Sequence, residues 1–105
     1  MSLMANRLLF HEELVKILGS RNVYFQPPEN VKLKYPAIVY SIDNIGTWHA
    51  DNDPYHHQTR YQVIFIDYDP ESDAIDALLS FRMSRFDRHY VSDNLNHYVF
   101  TITWK

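Results

Sequence analysis

"TRYQVIFIDYD", residues 59–69, is the stretch whose reading decides the fold. Tyr61, Val63 and Phe65 fall on one face of an extended chain, and Gln62, Ile64 and Ile66 on the other. Apolar side chains occupy the middle of both faces. The pattern therefore predicts a central strand covered on both sides.

Working outward toward the C-terminus, "DPESDAIDALLSFRM" predicts a helix. Asp69 is the expected N-cap, Pro70 the first helical residue, and Ile75, Leu78, Leu79 and Met83 the buried stripe. Glu71 and Asp73 would lie at the positive end of its dipole and Arg82 at the negative end. "FDRHYVSDNLNHYVFTITW" predicts a hairpin, with one arm over 86–92, a turn at Asp93 and Asn94, and a second arm over 97–104. Along that second arm Tyr98, Phe100, Ile102 and Trp104 alternate with His97, Val99, Thr101 and Thr103.

Toward the N-terminus, "YPAIVYSID" predicts a strand over 37–43 that begins after Pro36. "NVYFQPP" predicts a short strand over 23–25 stopped by Pro27 and Pro28. Leu8, Leu14, Val15, Ile17 and Leu18 recur at helical spacing over 5–18. Glu12, Glu13 and Lys16 form the wet side, and Gly19 is the stop. The order α-β-β-β-α-β-β predicts a single α+β domain, an antiparallel or mixed sheet with two helices packed on one face. Residues 1–3 read as an expression-vector remnant ahead of Met4, leaving 4–105 as the domain. The expected core includes Leu14, Leu18, Val39, Val63, Phe65, Leu78, Leu79 and Phe100.

Composition narrows the function classes. Ten Lys and Arg against thirteen Asp and Glu give a net charge of −3, which opposes sequence-independent nucleic-acid binding. No cysteine is present, which removes disulfides, thiolate catalysis and cysteine zinc sites. Only two glycines, Gly19 and Gly46, occur, and phosphate-cradling loops need several together. No apolar run approaches the roughly 20 residues of a membrane span.

Residues 44–58 read as a long polar connection containing "HADNDPYHH" (49–57). His49, Asp51, Asp53, His56 and His57 are zinc-type donors, so one reading is a small metal-dependent hydrolase. Their spacing misses the one-turn pair of HExxH, and the aspartates miss the calcium-loop pattern. No serine stands in a G-x-S-x-G elbow. "FRMSRFDRHY" collects Arg82, Arg85 and Arg88 with Phe86 and Tyr90. That mixture allows a nucleic-acid-binding module as another reading, against a plain helix end followed by an edge strand.

"YFQPPENVKLKYPAIVY", "DNDPY", "RYQVIFIDYDPES" and "FDRHYVSDNLNHYVFTITW" together resemble a family of small proteins of tailed bacteriophages and prophages of Gram-positive bacteria. These proteins serve head–tail joining and tail completion, and the element order is similar to that of tail terminators. The resemblance implies a virion structural protein without catalytic residues or cofactor, assembled in the host cytoplasm and away from membranes. It implies a homo-oligomeric ring, commonly of six subunits, that caps the tail tube and meets the head connector while DNA passes through its lumen. A head–tail adaptor or minor capsid component is the neighbouring role. Trp48, Asp53, Tyr55 and His57 in the polar connection, with Arg85 and Arg88 beyond the second helix, are the expected subunit or partner contacts.

Overall fold

A computed structural model describes residues 2–50 and 53–104, with the side chains of 47–50 and 53–57 outside the description. The elements are α1 (Leu3–Leu18), β1 (Val23–Phe25), β2 (Ala37–Ala50), β3 (Asp53–Asp67), α2 (Asp73–Leu79), β4 (Ser84–Ser92) and β5 (Leu95–Trp104). This is the expected α+β order. The strands form one mixed sheet in the order β1-β2-β3-β5-β4, with β1 parallel to β2 and every other pair antiparallel.

Alternation decides which face is dry. Tyr40 on β2, Tyr61, Val63 and Phe65 on β3, and Tyr98, Phe100 and Ile102 on β5 pack with Phe10 and Leu14 of α1 and Ala74 and Leu78 of α2. Both helices therefore lie on one face. β3 is central, as expected, but helices cover only one of its sides. The other face carries Ala37, Ile66 and Val99, buried but outside the main cluster. The segment linking β1 to β2 crosses that face on the β1 side, where the Lys34 amide donates to the Tyr24 hydroxyl at 3.2 Å and Tyr35 meets Tyr68 edge-on. A parallel pair needs such a crossover.

Phe10 is the hub of the core. It is fully buried, stacks on Tyr61 at 4.8 Å and lies within 5.7 Å of the rings of Tyr40, Phe81 and Trp104. Leu14, Val63, Phe65, Leu78 and Phe100 are buried as expected. Leu18 and Val39 are only half-buried, and Leu79 is 45% exposed. Leu79 loses its place because α2 is shorter than its periodicity suggests and ends there.

The start of α2 also differs. Ser72, not Asp69, is the N-cap, accepting from the Ala74 amide, while Asp69 instead closes a turn by accepting from the Glu71 amide at 2.9 Å. The Pro70 carbonyl is taken by the Tyr98 hydroxyl, which holds this turn on β5 and off the helix. Arg82 consequently lies beyond the helix, whose last turn holds no basic residue. α1 runs two residues further back than expected, with Ser2 capping the Ala5 amide, and Gly19 closes it at φ 78° in the left-handed region that suits glycine. Asp93 and Asn94 have φ of 54° and 66°, the paired left-handed geometry of a tight hairpin turn.

The largest departure concerns residues 44–58. They are not a connection: β2 and β3 run on through them, paired from Asn44↔Arg60 to Ala50↔Asp53. A fifteen-residue structureless loop would leave its amides and carbonyls to water, whereas the ladder pairs them. β5 stops at Trp104↔Thr59 and β1 reaches only Tyr40, so the ladder continues alone as a two-stranded arm. Asn44–Ala50, at about 3.4 Å per residue, projects on the order of 20 Å. The molecule accordingly measures 50 × 26 × 21 Å, with a radius of gyration of 14.5 Å against about 13 Å for a compact domain of this length.

Candidate functional site

Two features stand outside the core: the arm, and the edge strand β4. β4 is exposed along almost its whole length, Ser84 alone being half-buried. It shows Phe86, Tyr90 and Val91 to solvent at 44%, 39% and 59%. Long exposed edges invite pairing with other chains, and β4 is blunted by a β-bulge. Two residues of β4 past Phe86↔Phe100, the next pair is Arg88↔Val99, so Asp87 is the extra residue.

Asp87 is held in place from two sides. The Arg85 Nε donates to Asp87 Oδ1 at 2.7 Å, and the Thr101 hydroxyl donates to Oδ2 at 2.5 Å. Burial opposes ionisation of this carboxyl, but the bonds from Thr101 and Arg85 outweigh it and hold its pKa below the usual carboxylate range. β2 carries a counterpart. Asp43 is the extra residue between Ile42↔Tyr61 and Asn44↔Arg60, and the Arg60 Nε donates to its Oδ2 at 2.6 Å. Each open edge thus has an aspartate bulge tied to an arginine.

Past its bulge, β4 is pinned to β5 by two histidine–tyrosine stacks on opposite faces, His89 on Tyr98 and Tyr90 on His97, each at 4.6 Å. Asn96 donates its amide to the Tyr68 carbonyl at 3.2 Å, which leaves its oxygen to accept from His89 Nε2 at 2.9 Å. The Arg88 guanidinium lies 5.6 Å from the Tyr90 ring.

Of the sequence-predicted contact residues, Arg85 and Arg88 both fall on β4, Arg85 bound to Asp87 and Arg88 beside Tyr90. Trp48, Asp53, Tyr55 and His57 fall on the arm, with Trp48 opposite His56 and His57 opposite Thr47 in the backbone register. Their side chains lie outside the described residues, as do those of His49, Asp51 and His56. Arg82 stands apart from β4 in the turn that precedes it. Sequence reasoning named Phe86 and Tyr90 and allowed an edge strand there, but did not single out Val91. The available signal was the strand's own mixture of arginine and aromatics, which fits an edge better than a core.

A cleft of about 320 Å³ opens where the C-terminus of α1 meets the start of α2, lined by Ile17, Leu18, Pro36 and Phe65 with Asp67, Asp69, Glu71 and Asp73. Its carboxylates stand apart: among the described residues no three His, Cys, Asp or Glu side chains converge as a metal site would require. The other buried polar node is Tyr40, whose hydroxyl accepts from Arg7 Nη1 at 3.2 Å and lies 2.7 Å from His11 Nδ1. Arg7 also covers the Phe25 ring at 4.2 Å. This node ties α1 to β2 within the fold.

Comparison of the chain with models of protein families, with curated proteins and with solved structures found no match. Geometry therefore defines the class: a small α+β domain whose two conspicuous surfaces are a projecting two-stranded arm and an exposed, bulged edge strand.

Proposed function

We propose that this protein is a structural component of a tailed phage or prophage, acting in head–tail joining or tail completion as a tail terminator that works by forming a ring. The observation that carries the reading is the arm. A two-stranded ribbon without a third strand is marginally stable in water, so an arm of this length is built to be covered by a neighbour. A single small domain bearing an arm at one end and an open strand edge along its side has the two unlike surfaces that a head-to-tail ring contact joins. The four phrases that resemble phage tail-completion proteins, and the matching order of elements, point the same way. The partners are then further copies of the chain, the tail tube and the head connector, with DNA passing through the lumen unread.

The rival readings draw less from the geometry. Arg85 is neutralised by Asp87 at 2.7 Å, which weakens β4 as a phosphate-binding strip. A metal-dependent hydrolase would need its ligands drawn from the arm, whose side chains from 47 to 57 lie outside the described residues.

The test is complementation. Extract from a host carrying a tailed phage that lacks this gene product should yield tails of uncontrolled length. Purified protein added back should cap the tubes as rings visible by electron microscopy and restore tails that join heads. Protein that stays monomeric and leaves the tubes uncapped and unjoined would overturn the reading.

A further inference from the structure

We propose that the arm of one copy is seated along the exposed β4 strand of a second copy, so that the contact is a head-to-tail one between unlike surfaces of the same chain. The inference rests on the ring reading above and adds the place of contact.

Three observations lead to it. First, the arm cannot cover itself or reach its own β4. It continues β2 and β3 past the bulge at Asp43, with a second register shift between Trp48 and Ala50, and β4 lies across β5 at the far edge of the sheet. Among the described residues no third strand pairs with the arm.

Second, the two surfaces are complementary in charge. Between Asp43 and Arg60 the sequence holds Asp51 and Asp53 and no Lys or Arg. On β4 Arg85 is paired with Asp87, so the positive charge of this edge comes from Arg88, with Arg82 just before the strand. Opposite charge steers such a pair together and disfavours arm against arm or β4 against β4. Arm-on-β4 contact is thereby selected over contact between two like surfaces.

Third, the bulges leave matching free stretches. Asp43 and Asp87 blunt the two edges near the body of the sheet. Beyond them, the arm and the run from Arg88 to Ser92 keep an unpaired side, each with exposed apolar groups at hand: Ile45 at 42% beside the arm's root, and Tyr90 and Val91 on β4. An edge that is charged and bulged at one end and open at the other accepts one strand in one place rather than any strand anywhere.

The chain's lack of cysteine makes the test direct. Asp53→Cys and Val91→Cys are made in separate proteins, mixed, and exposed to a mild oxidant; Val91→Cys mixed with Ser20→Cys serves as the control. The mixed arm–β4 pair should form disulfide-linked dimers, and the control pair should not. In parallel, Arg88→Glu and Asp53→Lys should each weaken self-association by sedimentation about five- to tenfold, and the double variant should recover most of the loss. Thermal melts of all variants should match the parent.

Self-association unchanged by both charge reversals, with no arm–β4 cross-link, would overturn the seat and leave the ring reading standing. Cross-links that form in a protein unable to cap tubes would keep the seat and overturn the tail-terminator reading. An arm cysteine that links only to tube protein in tail extract would assign the arm to the tube and overturn the seat. Absence of any association or cross-link at high concentration would overturn it as well.

Discussion

Tyr40 shows how a single hydroxyl can carry a pH dependence. Its hydroxyl accepts from Arg7, which leaves its own hydrogen for Nδ1 of His11 and sets that ring as the neutral Nε2–H tautomer. Burial first, and then the neighbouring Arg7 charge, lower the His11 pKa from 6.5, with Glu12 pulling the other way. Below pH 6.5 the unfolded chain binds this proton before the folded one does. The His11 contribution is therefore complete above that pH and is lost as pH falls toward the folded value. Tyr40→Phe removes the hydrogen bond that favours neutral His11. It should cost about 1–2 kcal/mol in urea unfolding at neutral pH, and the gap from the parent should shrink in acid; a gap that stays constant with pH would refute the coupling. Sequence alone placed neither residue. A tyrosine in a strand and a histidine in a helix reveal their pairing only once α1 lies across β2. Phe10 was overlooked for a related reason: the periodicity count passed over it, and its place at the centre of the core shows only once α1 lies on the sheet. Truncation of this hub, Phe10→Ala, should cost about 3–5 kcal/mol in the same assay, against a total stability of order 5–15 kcal/mol for a small domain.

At the scale of elements, period-2 alternation was readable wherever one face of a strand is dry. β3 from Thr59 onward and β5 follow it, and the turn at Asp93 and Asn94 was legible from its residue types. α2 was overextended because Asp69-Pro70 imitates a helix start, while Tyr98 holds the Pro70 carbonyl in a turn instead. The arm was misread because both its strands leave the core. The sequence of 44–58 shows no apolar alternation, and its histidines, aspartates and Pro54 look like loop. Pro54 is tolerated there because β5 does not extend to it, so its missing N–H breaks no ladder on that side. The arm also makes an independent prediction. Among the described residues, no core residue lies between Asn44 and Gln58. Replacing 45–58 with an Asn-Gly turn should therefore leave the domain folded with stability changed by less than about 1 kcal/mol. Circular dichroism melts read the first half of that statement and sedimentation the second, since self-association should vanish. An unfolded product would make the arm part of the core and contradict its assignment as a contact surface.

The whole molecule is an elongated body, and the proposed contact between the arm's aspartates and the β4 arginines should respond to salt. Raising ionic strength from about 0.1 M to 1 M shortens the Debye length from about 10 Å to about 3 Å. Self-association through Asp53 and Arg88 should weaken over that range, yet persist in part because Tyr90 and Val91 are apolar. Association that strengthens with salt would mean that burial alone drives the contact. By itself the sequence determined the fold class, the order of elements, the faces of β3 and β5 and the hairpin turn. Each of these follows from local periodicity and turn chemistry, which need only neighbours in the chain. Tertiary structure alone decided that 44–58 is an arm, that both open edges carry aspartate bulges, and that Arg85 and Arg88 share an exposed strand. Those outcomes depend on pairing between segments far apart in the chain: beyond Thr59↔Trp104 and Tyr40↔Phe25, β2 and β3 are paired only with each other among the described residues.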